Sequence, residues 1–143
     1  MMRSALIQAL IDEQHYALLT EENIESFLDG HEDVVLFFTE NPKHFPESND
    51  VAVILPQLIE QLSGRLTPAV VDESVERTLL KRYAFNKWPA LVFLRRGEYL
   101  GVITGMQDWT DFKARSEQLL AASPCKAPAF AIPVVAESTS GCH

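Results

Sequence analysis

Two cysteines, Cys125 and Cys142, are the only thiols in the 143-residue chain, and both lie near its C-terminus. A thiol–disulfide exchange centre needs a thiolate of lowered pKa, which helix N-termini and Cys-x-x-Cys pairs provide. The two cysteines do not have that spacing. With His143 they could pair or bind a metal, but a structural zinc site needs four ligands at short spacing. We therefore interpret them as incidental thiols, and a thiol-redox or redox-sensing role of Cys125 and Cys142 stays the alternative.

A second candidate for chemistry is His44, which follows Glu40 and Lys43 and precedes Glu47. A His–Glu pair could support acid–base catalysis, although a surface histidine in a polar loop is far commoner. The sequence contains no phosphate-binding glycine loop and no G-x-S-x-G elbow. We therefore predict a protein that is not an enzyme, with no catalytic residue, no metal site and no cofactor.

The clearest structural pattern begins at Trp88-Pro89. Two apolar runs follow, Ala90–Leu94 and Tyr99–Thr104, joined by a short turn that contains glycine. This pattern predicts a β-hairpin. A proline at the entrance of a strand lacks one ladder donor, so Pro89 is expected at the start of its strand or on an edge.

The rest of the chain alternates between helical and strand periodicity. The order βαβαβαββα, behind an extra N-terminal helix, predicts an α/β domain with a central mixed sheet of about five strands flanked by helices. The first strands are parallel and the hairpin adds antiparallel ones.

The predicted bounds of the elements are as follows. Before the hairpin we predict a helix over 2–14, a strand at His15–Leu19, a helix at Glu21–Leu28 capped by Thr20, a strand at Val34–Thr39, a loop over 40–50, a helix at Val51–Leu62 that contains Pro56, a strand at Leu66–Val71 broken by Pro68, and a helix at Glu73–Tyr83. After the hairpin we predict a last helix from Asp108 to about Leu120.

This order resembles the thioredoxin fold. In that family a cis-proline opens the strand that faces the active site, and a Cys-x-x-Cys pair follows an earlier strand. The resemblance implies that the Trp88-Pro89 bond is cis. Here the earlier strand, Val34–Thr39, runs into Glu40 and the following residues without any cysteine.

In thioredoxin-like proteins the backbone before the cis-proline pairs with extended peptides, a form of strand addition. Loss of the cysteines would leave such a groove in place. The alternative is structural, in which the X-Pro bond holds the loop and the indole fills the core. The resemblance implies a candidate peptide-binding site made of Glu40, Asn41, Pro42, Lys43, Glu47, Trp88 and Pro89.

The net charge of −8 is concentrated in residues 1–38, which carry eight carboxylates and one arginine. Phosphate contacts demand the opposite sign, so we predict no nucleic-acid partner. A basic peptide would be attracted to this surface, and we name Glu21, Glu22 and Glu25 as its acidic face. A solvated surface that keeps the protein soluble is the simpler alternative.

Length and a hydrophobic content of 47% fit one domain. We predict a domain over residues 1–120 and a mobile tail over 121–143 that contains Pro, Ala and Ser; its apolar middle could dock on the domain. No apolar run reaches the 18 residues of a membrane span. The N-terminal segment is typical of an amphipathic helix, not of a secretory signal. We therefore expect a cytoplasmic protein.

Two segments resemble the HyaE/HupG family of [NiFe]-hydrogenase expression proteins, over about residues 2–120. Glu40–Leu62 contains an N-P-K…P-E-S-N-D pattern similar to the family's D-P-K-R…P-E-x-x-D, with Asn41 and His44 in place of aspartate and arginine. The family's F-x-x-x-P-A-x-L-V-F…G-x-Y-x-G-V pattern is matched by Phe85, Pro89, Ala90, Leu91, Val92, Phe93, Gly97, Tyr99, Gly101 and Val102.

This resemblance implies an accessory chaperone of uptake-hydrogenase maturation. Such a protein would bind the hydrogenase small subunit and its twin-arginine signal peptide before export, and other hydrogenase accessory proteins are further possible partners. A twin-arginine signal has a basic region and an apolar stretch. The acidic N-terminal third would favour the first and an apolar groove the second.

Overall fold

The computed structural model of the protein describes residues 4–40, 46–62, 66–83, 85 and 87–122, with the backbone alone for Leu80. Its elements follow the predicted order. They are α1 (Ala5–Asp12), β1 (Ala17–Leu19), α2 (Ile24–Asp29), β2 (Asp33–Phe38), α3 (Glu47–Gln61), β3 (Thr67–Val71), α4 (Glu73–Tyr83), β4 (Ala90–Arg95), β5 (Glu98–Thr104) and α5 (Trp109–Ala121).

The strands form one sheet in the order β1-β3-β2-β4-β5. β3 pairs in parallel with β1 and β2, whereas β4 pairs antiparallel with β2 and β5. β2 lies at the centre because its residues 34–38 are apolar at every position and can be buried on both faces. The predicted mixed five-strand sheet, in the order βαβαβαββα behind an extra N-terminal helix, is confirmed.

Helices cover both faces of the sheet. Val35 and Phe37 of β2 belong to the apolar core beneath α1, α3 and α5. Leu36 and Phe38 belong to the core beneath α2 and α4. This division follows from the period of two along a strand, which sends successive side chains to opposite faces.

The hairpin is confirmed, and Trp88-Pro89 is cis. Arg95 pairs with Glu98, so the turn has two residues. These are Arg96 and Gly97, with φ of 53° and 80°. Two successive positive φ values are those of a type I′ turn, which matches the twist of the flanking strands. Glycine at the second position adopts this conformation without steric cost.

The predicted start of α2 was wrong. The helix begins at Ile24 and not at Glu21, and Thr20 does not cap it. The Thr20 N–H instead donates to Asn23 Oδ1 at 2.7 Å, and the Glu22 N–H donates to Thr20 Oγ1 at 3.3 Å. Short polar side chains here close a turn that competes with the first helical turn.

Two predictions that involved prolines were also wrong. The predicted loop over 40–50 ends earlier, because α3 begins directly after Pro46 and continues through Pro56. Pro68 does not break β3. β1 pairs with β3 from Ala69 onward, so at Pro68 one side of β3 has no ladder partner and the missing N–H is accommodated.

No helix within the described ranges has the length and apolar character needed to cross a membrane. The predicted domain boundary at residue 120 stays a prediction, since residues 123–143 lie outside the described ranges.

Candidate functional site

A buried carboxylate joins the end of β2 to the loop that precedes β4. Glu76, in the first turn of α4, is only 6% exposed. Its Oε2 accepts hydrogen bonds from the N–H groups of Thr39 at 3.2 Å and Glu40 at 3.0 Å. Its Oε1 accepts a hydrogen bond from Nε1 of Trp88 at 3.1 Å. We call the group Thr39, Glu40, Glu76, Trp88 and Pro89 the cis-proline edge.

Burial raises the pKa of Glu76 to about 7, because the charged form is desolvated. The hydrogen bonds from Glu40, Trp88 and Thr39 favour the anion and oppose this rise, while the charge of Glu40 adds to it. The desolvation of the charged form therefore raises the pKa of Glu76 more than the three hydrogen bonds lower it. Glu76 changes its protonation state near neutral pH, where most carboxylates stay ionised.

A cavity of about 220 Å³ opens beside this carboxylate. It is lined by Glu40, Glu73, Glu76, Arg77 and Trp88. The backbone of Glu40 lies in the left-handed region, with φ of 50°. Non-glycine residues in this region are uncommon, and such strained conformations are found preferentially at functional sites.

Apolar groups border the same edge. The Trp88 ring packs edge-on against Phe85, with ring centroids 5.6 Å apart. On the other side, the N–H of Gly105 donates to the carbonyl of Pro89 at 2.8 Å, which brings the end of β5 beside the proline. Met106 and Trp109 follow this contact and are each 37% exposed. Two exposed apolar side chains therefore follow, in the sequence, the residue that bonds to Pro89.

The structure brings together only part of the predicted peptide site. Glu40, Trp88 and Pro89 meet at the cis-proline edge. Glu47 is exposed in the first turn of α3. Its neighbour Ser48 is buried and donates through Oγ to the carbonyl of Thr39 at 2.8 Å, which ties this helix start to the edge. Three further predicted residues, Asn41, Pro42 and Lys43, lie outside the described residues, as do His44, Cys125 and Cys142.

The residues of the predicted acidic face are all exposed. Glu25 forms an ion pair with Arg82 of α4, with Oε2 and the guanidinium nitrogen 3.2 Å apart. Arg82 lies six residues after Glu76, which is about 9 Å along a helix. Glu25 therefore contacts the helix that carries the buried carboxylate, and Glu21 and Glu22 precede Glu25 in the sequence.

Sequence analysis missed Glu76. It lies in the apolar stripe of α4, between Val75 and Leu79, both of which are buried. A carboxylate at a stripe position is the signal that could have found it, because buried carboxylates need hydrogen-bond partners. Its partners are not visible in the sequence, since they lie in other elements.

The described lining of the cavity offers carboxylates, a guanidinium and an indole. The carboxylates and the indole can hold a cationic side chain, through charge and through the face of the aromatic ring, whereas the guanidinium of Arg77 opposes it. Within the described ranges, no group of three His, Cys, Asp or Glu side chains could hold a metal ion.

Comparison with known proteins adds to this geometry. The sequence profile of the family described as "Hydrogenase-1 expression protein HyaE" matches residues 6–112. The chain is 35% identical to the hydrogenase expression/formation protein HoxO of Cupriavidus necator over 141 residues, which is 96% of this chain and 88% of the relative. It is also similar to a crystal structure assigned to the hydrogenase expression/formation protein HupG of Rhodopseudomonas palustris, with 37% identity, a TM-score of 0.52, and coverage of 73% of this chain and 95% of the other.

A more distant likeness concerns the fold alone. The J-Trx1 fragment of ERdj5 matches 76% of this chain and 53% of its own length, with a TM-score of 0.58 at 18% identity. This likeness agrees with the strand order and the position of the cis-proline. Together with the match over residues 6–112, it establishes that this chain is a thioredoxin-like member of the HyaE family of hydrogenase expression proteins.

Proposed function

We propose that this protein is a non-catalytic accessory chaperone of [NiFe]-hydrogenase maturation. In this proposal it acts in the cytoplasm and binds the hydrogenase small subunit through its twin-arginine signal peptide before export. Family membership supports the hydrogenase role. The observation that carries the peptide-binding step is the cis-proline edge, where a cavity lined by three carboxylates and the Trp88 indole lies beside a cis-proline.

The chemistry of the ligand fits the two parts of this edge. A twin-arginine signal carries a basic region followed by an apolar stretch. The carboxylates of Glu40, Glu73 and Glu76 suit the basic region. The exposed side chains of Met106 and Trp109 suit the apolar stretch. β4 is paired on both sides from Ala90 onward, so an extended peptide could pair only with the backbone that precedes Pro89.

The acidic face supplies a longer-range attraction. Glu21 and Glu22 are exposed beside the layer that carries Glu76, and their field would raise the association rate of a basic peptide. This field is screened over about 8 Å at physiological ionic strength. The affinity should therefore fall as salt rises without vanishing, because the apolar contacts survive screening.

The experiment is calorimetric titration of a synthetic twin-arginine signal peptide into the protein at low and high salt. We expect binding at low salt that weakens at high salt. A scrambled peptide of equal charge is the ligand control. No binding at low salt, or equal affinity for the scrambled peptide, would contradict the proposal and leave the acidic surface as a solvated face.

A variant pair separates the local field from net charge. Glu21→Lys with Glu22→Lys changes the acidic face and leaves the Glu25–Arg82 ion pair intact. Glu13→Lys with Glu60→Lys makes the same charge change at exposed positions on and beside helices that cover the other face of the sheet. Stopped-flow binding should show an association rate that falls by roughly tenfold at low salt for the first pair. A similar fall for the second pair would assign the effect to net charge.

A further inference from the structure

The Glu76 carboxylate divides its two oxygens between the two segments of the cis-proline edge. Oε2 accepts the backbone N–H groups of Thr39 and Glu40, at the end of β2. Oε1 accepts the indole N–H of Trp88, in the loop before β4. The residue thus bonds to segments 36 and 12 positions away in the chain.

The two oxygens of Glu76 accept different numbers of hydrogen bonds, and this difference determines which oxygen is protonated. Oε2 has two donors and Oε1 has one, so the less occupied Oε1 is the favoured site of protonation. A protonated Oε1 carries no charge and keeps only part of its acceptor capacity, so it is a weaker acceptor for the N–H of Trp88. Protonation therefore weakens the contact with the indole and leaves the two backbone contacts of Oε2 in place.

We propose that Glu76 is the positioning residue of the cis-proline edge: as a carboxylate it holds the Trp88 indole against α4, and on protonation it holds the indole less firmly while the segment after β2 stays anchored. The edge then has two arrangements, one with Trp88 bonded to the carboxylate beside the cavity and one in which that hydrogen bond is weakened. The consequence of these two arrangements for peptide binding rests on the proposed function, but the arrangements themselves can be tested without any peptide.

The charged groups around Glu76 set the balance between these arrangements. Glu40 at the end of β2 and Glu73 on α4 are like charges that favour the proton, and Arg77 on α4 favours the anion. The loop before β4 contributes the indole of Trp88, which carries no charge. Burial brings the pKa of Glu76 to about 7, so both arrangements are populated near neutral pH.

A cationic ligand in the cavity would shift this balance. A guanidinium beside Glu76 favours the anion, so it expels the proton and fixes Trp88. Thermodynamic linkage then requires that a basic peptide bind more tightly above neutral pH than below it. Glu76 would in this way couple proton release to occupation of the edge.

The first test follows Trp88 fluorescence against pH. The chain has two tryptophans, so Trp109→Phe leaves Trp88 as the sole emitter. We expect the emission to move to longer wavelength and quenching by acrylamide to increase as the pH falls from 8 to 6. The same titration of Glu76→Gln in this background should be flat, because the neutral amide has one acceptor oxygen and resembles the protonated form.

Glu73→Gln is the matched control, since Glu73 is an exposed carboxylate of the same helix and the same cavity. It should keep the transition. A transition that persists in Glu76→Gln, or no transition in the Trp109→Phe protein, would overturn the proposal. If Glu76→Gln does not fold, the NMR chemical shift of the Glu76 carboxyl carbon is measured against pH in the protein without that substitution. This chemical shift must change with the same midpoint as the Trp88 emission.

The second test separates this proposal from the proposed function. The signal peptide is titrated at pH 6 and pH 8 into proteins that retain both tryptophans. We expect Glu76→Gln to bind roughly tenfold more weakly at pH 8, the loss typical of one hydrogen bond to a charged group, and the pH dependence to disappear. A Glu76-dependent fluorescence transition without peptide binding at either pH supports the positioning role and contradicts the proposed function. Peptide binding that is identical in both proteins contradicts the coupling and supports the proposed function.

Discussion

At the scale of single residues, the central feature is an ionisable group in a place where ionisation is unfavourable. Glu76 is buried, yet it accepts three hydrogen bonds that connect the two segments of the cis-proline edge. An apolar residue at this stripe position would add to the core of α4. The retention of a carboxylate there is understandable if the contact with Trp88 serves binding, because functional sites often reduce stability.

Because ionisation of the buried Glu76 is unfavourable, the free energy of unfolding should depend on pH. The pKa of Glu76 rises from 4.5 to about 7 on folding, so the folded protein binds more protons than the unfolded chain between these values. The stabilisation is fully present below pH 4.5 and is lost as the pH rises through 7. Relative to Glu76→Gln, the unaltered protein should lose about 3 kcal/mol over this interval. Urea denaturation at pH 4.5 and pH 8 measures the difference.

Glu73→Gln again serves as control, because Glu73 is an exposed carboxylate of the same helix. Its stability difference from the unaltered protein should change less with pH than that of Glu76→Gln. A difference between Glu76→Gln and the unaltered protein that is the same at both pH values would show that Glu76 titrates normally.

At the scale of elements, the hairpin depends on how closely α5 approaches β5. A Cβ atom added at Gly101 would lie 2.4 Å from Cδ2 of Leu119. Leu119 is itself 1% exposed and fixed in the core. Glycine at this position of β5 therefore allows α5 to pack directly on the strand.

Gly101→Ala should destabilise the protein by about 1–3 kcal/mol, because the added methyl group overpacks a dense core. Leu119→Ala removes the obstructing side chain, and in that background the substitution at Gly101 should cost much less. A double-mutant cycle by urea denaturation measures the coupling. If the two effects were additive, the contact with Leu119 would not be the reason for glycine at this position.

The C-terminal end of α5 is held by Arg95 of β4. Its guanidinium donates to the carbonyls of Leu120 at 2.6 Å and Ala122 at 3.1 Å, and to the carboxylate of Asp33 at 2.8 Å. The last carbonyls of a helix lack partners within the helix, so a cation there satisfies them. Arg95 thus joins β2, β4 and α5 at the end of the sheet away from the cis-proline.

Arg95→Ala should destabilise the protein by about 2 kcal/mol, because it removes charge-assisted hydrogen bonds at a partly buried position. Arg96→Ala is the matched control in the neighbouring turn. The Arg96 side chain is 76% exposed, and its guanidinium lies 3.7 Å from Glu32. Loss of the Arg96 side chain should lower the free energy of unfolding by no more than about 0.5 kcal/mol. Equal losses for both variants would mean that Arg95 does not cap α5.

At the scale of the whole molecule, family and fold point to an accessory protein of hydrogenase formation. β2 is followed by Thr39 and Glu40, without a cysteine at the position where the redox motif of thioredoxin would begin. The two segments that flank a redox centre in that fold here contact a buried glutamate. This arrangement is one reason to propose binding and not thiol chemistry as the role of the edge.

The thiol alternative makes an opposite prediction at this scale. Without a cysteine before residue 125, the protein should not accelerate the reduction of insulin by dithiothreitol. Cys125→Ser combined with Cys142→Ser should leave signal-peptide binding unchanged within error. Acceleration that disappears in the double variant would favour a redox protein that uses these cysteines.

The sequence by itself determined most of the elements and their order. β2 was predictable because an unbroken apolar run at residues 34–38 can only be buried on both faces. The hairpin was predictable because its turn needs glycine at a fixed place between two apolar runs. The start of α2 was not, because Thr20 and Asn23 prefer a local turn over a cap and the difference in free energy is small.

The tertiary structure alone decided the candidate site. The donors to Glu76 come from β2 and from the loop before β4, and strand pairing brings them to one edge. Gly105 bonds to Pro89 because β5 returns antiparallel to β4. Periodicity reports which face of an element is buried, but it does not report which elements meet. Contacts between distant residues depend on the strand order, which is fixed only when the whole sheet forms.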